Sequence, residues 1–216
     1  MKIGIVGGTG EIGEGLAHRL SHQHEIIIGS RDNAKAAEAS ESITCKLDER
    51  GIKASCHGTT NQEAVDEGDI IVLSINYRHL ESTLKSLKGF ENKIVISPVN
   101  PISKGKDFYF DPPEEGSAAL AIKNLLPESA RVVSAFNNIS AQKWKKMDEV
   151  LDYSVVVCSD DDEAKKITMD LVNSISELKA LDGGGLFLSS IVESITPLIL
   201  NIAKNNKMKD VGIKFI

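Results

Sequence analysis

The sequence predicts an α/β fold built around a doubly wound parallel sheet. Three observations carry that expectation. Short Ile- and Val-rich runs recur along most of the chain, and amphipathic stretches long enough for crossover helices separate them. The first apolar run also leads directly into a glycine-rich turn.

The strands are expected, in order, at Lys2 to Val6, Glu25 to Ile28, Lys53 to Cys56, Ile70 to Ile75, Lys93 to Ser97 and Val132 to Ala135. Such a set suits a sheet that binds its ligand outside the carboxyl ends of the strands. Beyond about Ala141 the rhythm changes. A strand at Tyr153 to Cys158 and a helix from Asp160 to Ser176 come next, then Gly183-Gly184-Gly185 and a long apolar helix from Leu186 to Ile202. The chain is therefore divided into residues 1–142, a nucleotide-binding domain, and 143–216, a smaller C-terminal α/β domain. No Pro- or Gly-rich linker separates the two, so they are expected to pack closely.

Composition narrows the function. The 25 basic and 31 acidic residues give a formal charge of -6, with no basic block to follow a phosphate backbone, so nucleic acid is not an expected partner. Ser189, Ser190, Glu193 and Ser194 interrupt the last apolar stretch, which reads as too polar and too short for a membrane span. The first residues run straight into strand-like sequence, and Cys45, Cys56 and Cys158 lack C-x-x-C spacing. A cytoplasmic protein with reduced thiols and no structural zinc is the expectation.

Ile3-Gly4-Ile5-Val6 is followed by Gly7-Gly8-Thr9-Gly10-Glu11-Ile12-Gly13 and then by the helical pattern of Leu16, Ala17 and Leu20. This is G-x-G-x-x-G in its strand-turn-helix setting, the dinucleotide fingerprint of a Rossmann-like fold. Gly8 is assigned the tight turn, Gly10 the close approach of a pyrophosphate and Gly13 the packing of helix on strand. The helix N-terminus then offers free N–H groups and partial positive charge to the anion.

An NAD site commonly carries an acid at the end of the second strand, to accept from the ribose 2′-hydroxyl. Here the segment reads Ile28-Gly29-Ser30-Arg31. Arg31 offers a planar cation, Ser30 a hydroxyl and Lys35 a point charge, a set that fits a 2′-phosphate and favours NADP over NAD. Asp32 is the residue that can neutralise Arg31 locally.

Read together, Gly7-Gly8-Thr9-Gly10, Ile28-Gly29-Ser30-Arg31, Ile94-Val95-Ile96-Ser97-Pro98, Val132-Val133-Ser134-Ala135 and the run from Val192 to Ile202 resemble the NADPH-dependent F420 reductases. The ending Gly212-Ile213-Lys214-Phe215-Ile216 fits the same pattern. The resemblance spans the chain. It implies hydride exchange between NADP and the deazaflavin coenzyme F420, with Thr9, Gly10, Glu11 and Ile12 at the pyrophosphate and Ser30, Arg31 and Lys35 at the 2′-phosphate. It also implies that Ile75, Tyr77, Asn100 and Ile102 lie toward the ribose and nicotinamide, with Asn137 and Ala141 beyond the sixth strand. One segment departs from the family. Phe136-Asn137-Asn138-Ile139-Ser140 has Asn137 where the deazaflavin enzymes carry histidine, and it is similar to the reductase domain of the STEAP ferric reductases, which implies a flavin (FMN or FAD) as the alternative acceptor.

Hydride transfer between two rings asks the protein for positioning rather than for a nucleophile, so no catalytic side chain is assigned. Asn137 reads equally as a ring-edge hydrogen-bonding group or as a buried turn residue, and the glycines at 183–185 as a backbone approach to a planar ring or as a turn. His79 reads more readily as structural than as a cofactor contact. Asp160-Asp161-Asp162-Glu163 reads as helix capping rather than a metal site. A helix apolar on more than one face suits a subunit contact, so a homodimer is expected. A non-catalytic NADP sensor is the competing class.

Overall fold

The computed structural model describes residues 1–146, 150–209 and 211–216. From the N-terminus the elements are β1 (Lys2–Val6), α1 (Glu11–Leu20), β2 (Glu25–Ser30), α2 (Asn33–Asp48), β3 (Cys56–Thr60), α3 (Asn61–Glu67), β4 (Ile70–Leu73), α4 (Leu80–Ser86) and β5 (Ile94–Ser97). A hairpin of β6 (Ile102–Lys104) and β7 (Phe108–Phe110) precedes α5 (Ala118–Leu125) and β8 (Arg131–Ser134). Then come α6 (Ala141–Lys145), β9 (Ser154–Val157), α7 (Asp162–Asn173), β10 (Lys179–Asp182) and α8 (Ser189–Asn206).

Six strands form one sheet in the order β3-β2-β1-β4-β5-β8, all parallel, as the alternating pattern predicts. The central strands are buried on both faces: Ile3 and Ile5 pack into one apolar cluster, Val6 and Ile71 into the other. That two-sided burial explains why these strands read as continuous apolar runs. The order reverses between β1 and β4, which opens a crevice at their carboxyl ends.

Several elements differ from expectation. The third strand begins at Cys56, where the sequence pointed to Lys53–Cys56. It is an edge strand, only half-buried and without an apolar run. Its Gly58 lies so close under α2 that a Cβ would fall 2.1 Å from the Ala36 carbonyl carbon. The β6–β7 hairpin was not anticipated. Its stability comes from far along the chain: Asn201 accepts from the Phe108 N–H at 2.9 Å and donates to the Phe108 carbonyl at 2.7 Å, as a neighbouring strand would. Strand β10 pairs in parallel with β9 and was likewise unforeseen.

The acidic run before α7 is a helix cap, with Asp161 accepting from the Ala164 N–H at 2.7 Å. Asp160 accepts from Lys123 at 2.7 Å and from the Leu186 N–H at 2.9 Å, and these bonds hold its carboxyl below the usual range. The 183–185 glycines connect β10 to the segment before α8, and a Cβ on Gly183 would lie 2.6 Å from Cys158 Sγ.

The last helix is longer than expected. It continues past Ile202 to Asn206, and an 18-residue window within Leu186–Asn206 has a mean hydropathy of 1.7, so length and composition alone would let it cross a membrane. The expectation that this stretch is too short is corrected. Within the fold it is tied down by polar groups. Glu193 is fully buried, and its carboxylate accepts from the N–H groups of Ala118 at 2.7 Å and Ala119 at 3.1 Å, closing the N-terminus of α5. Beside it the hydroxyls of Ser117 and Ser189 are 2.7 Å apart.

Candidate nucleotide and second-substrate site

The glycine loop divides its duties differently from the assignment by motif. The left-handed turn falls on Gly7, at φ +71°, rather than on Gly8. Gly8 donates to the Gly29 carbonyl at 2.8 Å, and a Cβ there would fall 2.9 Å from the Ile5 carbonyl oxygen. At Gly13 a Cβ would meet the Gly8 backbone at 2.6 Å, so this glycine does permit helix and strand to close. Gly10 is different, because the nearest atom to a Cβ there is 3.6 Å away. The protein itself leaves that position open.

Gly10 is also the N-cap of α1 and has no side chain to bond the first-turn N–H groups. Uncapped donors at a helix start form an anion site. Glu11 and Ile12, in this first turn, line a cavity of about 240 Å³ between β1 and β4. It shares Gly10, Ser74, Ile75 and Asn76 with a cavity of about 320 Å³ on one side, and Ile12 and Ala141 with one of about 340 Å³ on the other. The three therefore form a single groove across the carboxyl edge of the sheet.

Ser30, Arg31 and Lys35 line the first end of the groove together with Thr9. Asp32 does not neutralise Arg31. It caps α2, accepting from the N–H groups of Ala34 at 3.1 Å and Lys35 at 3.4 Å. Among the described residues, Arg31 and Lys35 make no ion pair. Two exposed cations and a hydroxyl thus border one cavity.

The far end is an apolar chamber under α8, with Ile12, Ile139, Ile199, Leu200 and Ala203 in its walls. The turn into it is strained: Phe136, fully buried, is left-handed at φ +65°, a cost on the order of 1 kcal/mol or more for a bulky residue. This turn directs Asn137 inward. Its Nδ2 donates to the Val99 carbonyl at 3.1 Å, and its Oδ1 accepts from the Ser134 hydroxyl at 3.1 Å. Its main-chain carbonyl accepts from Asn100 Nδ2 at 2.9 Å and from the Thr196 hydroxyl at 2.7 Å. Of the two readings of Asn137, the buried turn is the one its bonds match, because the carboxamide is engaged within the protein.

Of the residues singled out in the sequence, the groove brings together Thr9, Gly10, Glu11, Ile12, Ser30, Arg31, Lys35, Ile75, Asn100, Asn137 and Ala141. Gly8 and Gly13 shape it from behind. Tyr77 and Ile102 fall outside these three cavities. Tyr77 borders a separate cleft with Pro113 and Leu125, and Ile102 pairs with Phe110 in the hairpin. His79, read as structural, does border the cationic end. Sequence reasoning missed Asn61, Ser74 and Asn76, which reach the groove from the start of α3 and the end of β4. It also assigned no site role to Thr196 or Ile199, although both lie in the family-like run of the last helix.

Residues 2–101 match the family profile described as NADP oxidoreductase, coenzyme F420-dependent. The chain is 42% identical over 220 aligned residues to the F420-dependent NADP reductase of Methanocaldococcus jannaschii, covering 99% of this chain and 97% of that one. The chain belongs to the F420-dependent NADP reductase family. Its fold is matched by a solved structure from Arthrobacter sp. FB24, described as a candidate F420-dependent NADP reductase. The TM-score is 0.79 at 21% identity, over 100% of this chain and 99% of that one. A more distant similarity, 26% identity over 90% of the chain, reaches 36% of the rat metalloreductase STEAP3, in line with the likeness seen around Asn137.

Proposed function

We propose that the groove carries out hydride exchange between NADP(H) and the deazaflavin coenzyme F420. The observation that carries this reading is the continuity of one groove from an unpaired cationic end, past an uncapped helix N-terminus, into an apolar chamber. Ser30, Arg31 and Lys35 hold the 2′-phosphate, and Thr9, Gly10, Glu11 and Ile12 receive the pyrophosphate. The open Cβ position at Gly10 fits that group, since a side chain there would occupy the phosphate's place rather than clash with the protein. When bound, the two rings supply the hydride chemistry between themselves.

The chain's own residues bind, orient and exclude water. Ile12 and Ala141 flank the junction between the nucleotide cavities and the chamber, where two stacked rings would meet. The Asn100–Asn137–Thr196 bonds fix the chamber floor to α8, and Ile199, Leu200 and Ala203 keep the ring space dry. In this reading residues 1–142 bind the nucleotide, and residues 143–216 close the second-substrate chamber and supply the dimer contact. Ile191 and Leu198 on the last helix are 61% and 57% exposed, and Phe187 in the 3-10 turn before it is 66% exposed, which supports a homodimer of a cytoplasmic enzyme. The buried Glu193 and the Asn201 bonds support an internal and intersubunit helix rather than a membrane span, and the acidic net charge supports small molecules rather than nucleic acid as partners.

The test is to mix the protein with NADPH and, separately, with F420, FMN and FAD while following absorbance. Rapid exchange with F420 is expected. Reduction of FMN or FAD without F420 exchange would replace this reading with a flavin reductase, the alternative favoured by the Phe136–Ser140 segment. Nucleotide binding with no acceptor reduced would make the protein a sensor.

A further inference from the structure

We infer that Asn61 is a nucleotide-positioning residue whose two amide atoms have separate duties: Oδ1 holds the phosphate loop, and Nδ2 donates to the bound nucleotide at the cationic end of the groove. The inference rests on the NADP(H) reading of that groove.

Asn61 opens α3 and is only 9% exposed. Its Oδ1 accepts from the Gly7 N–H at 3.0 Å across 54 positions of sequence. Gly7 is the left-handed residue of the loop, and it is confined on its other side: a Cβ there would lie 2.7 Å from both the Ser74 carbonyl oxygen and the Ile75 side chain. One side-chain bond thus fixes the residue on which the turn depends. The same side chain presses on β2, where a Cβ at Gly29 would come within 3.0 Å of Asn61 Cα and Oδ1. Gly29 in turn accepts from Gly8 N–H and precedes Ser30 and Arg31. Asn61 therefore stands where the phosphate loop meets the strand end that carries the clamp.

Capping does not account for this asparagine. Thr60 is the N-cap of α3, with its hydroxyl accepting from the Glu63 N–H at 3.2 Å and the Glu63 carboxylate closing the reciprocal bond at 3.1 Å. Because Oδ1 and Nδ2 share one carbon, an oxygen turned to Gly7 sends the nitrogen the other way. Among the described residues Nδ2 makes no hydrogen bond, yet it is not one of the sealed, unpartnered polar atoms, and Asn61 lines the cavity shared by Thr9, Ser30 and Arg31. A largely buried amide donor without a protein partner gains an acceptor when nucleotide oxygens enter that cavity. An aspartate would accept from Gly7 equally well, but would set a negative charge against the phosphates.

That difference supplies the experiment. N61D keeps the acceptor for Gly7 and loses the donor, whereas N61A loses both. The expected result is an N61D protein with the wild-type melting temperature whose dissociation constant for NADPH, measured by titration calorimetry, rises by about tenfold or more. N61A should weaken binding and also melt earlier. In the wild-type protein, the side-chain ¹⁵N–¹H₂ signal of Asn61, identified by its loss in N61D, should move when NADP⁺ is added. An unmoved signal, or an N61D variant that binds NADPH like the wild type, overturns the inference while leaving the groove assignment standing. Failure of the wild-type protein to bind NADPH overturns both.

Discussion

The Glu193 carboxylate of α8 lies 2.7 Å from the Ala118 N–H at the start of α5, and it is fully enclosed. Burial pushes its pKa up from 4.5 to about 7, against the lowering effect of the N–H groups of Ala118 and Ala119. A carboxyl with a raised folded-state pKa contributes stability that is fully present below about 4.5 and is lost as pH climbs through about 7. The wild-type protein should therefore lose up to about 3 kcal/mol relative to E193Q between these limits, a ceiling set by the size of the shift. Urea unfolding of both proteins from pH 5 to 8 checks this, and parallel stability curves would refute it.

Gly10 and Gly13 should separate ligand contact from packing. G10A has room for its methyl group in the free protein, so it should melt like the wild type while losing most NADPH affinity. G13A drives a Cβ against the Gly8 backbone at 2.6 Å and should lower stability by about 1 to 3 kcal/mol. Thermal melts with and without NADPH distinguish the two. A G10A protein that binds NADPH normally would reduce the loop to a structural turn.

Arg31 is exposed and makes no ion pair among the described residues, so removing it should spare the fold. R31A is expected to weaken NADPH by roughly 1.5 to 3 kcal/mol, the worth of a hydrogen bond to a charged group, and NADH far less. Titration with both nucleotides measures the ratio. Equal losses for the two would remove the 2′-phosphate from this end of the groove.

The chamber under α8 can be filled without touching the nucleotide cavities, because Ala203 borders the chamber alone. A203W should abolish exchange with F420 while leaving the NADPH dissociation constant near its wild-type value. Stopped-flow absorbance reports the first quantity and fluorescence titration the second. Unimpaired F420 exchange would place the second ring elsewhere.

Leu198 belongs to the exposed apolar side of the last helix and is 57% exposed in the single chain. If that side is the subunit contact, L198E should convert a dimer into a monomer without unfolding it. Light scattering after size-exclusion chromatography gives the mass directly. A wild-type protein that runs as a monomer would rule out the dimer.

What the sequence determined by itself was the sheet and the places of two contiguous segments, the glycine loop and Ser30 to Lys35. Strands β1, β4 and β5 are buried on both faces, so they announce themselves as apolar runs, and the two groove-lining segments are each contiguous, from Gly7 to Gly13 and from Ser30 to Lys35. Local chemistry was enough for these. Tertiary structure alone decided which loop residue takes the left-handed turn, that Asn137 spends its amide on Ser134 and Val99, and that Tyr77 and Ile102 line none of the three cavities of the groove. It also brought Asn61 to Gly7, Glu193 to Ala118 and Asn201 to Phe108, across 54, 75 and 93 positions. Each of these is a polar group satisfied by a backbone partner far away in the chain, and neither composition nor periodicity carries the identity of such a partner. Burial makes the bond obligatory, but only the completed packing of sheet, hairpin and last helix chooses which atoms make it.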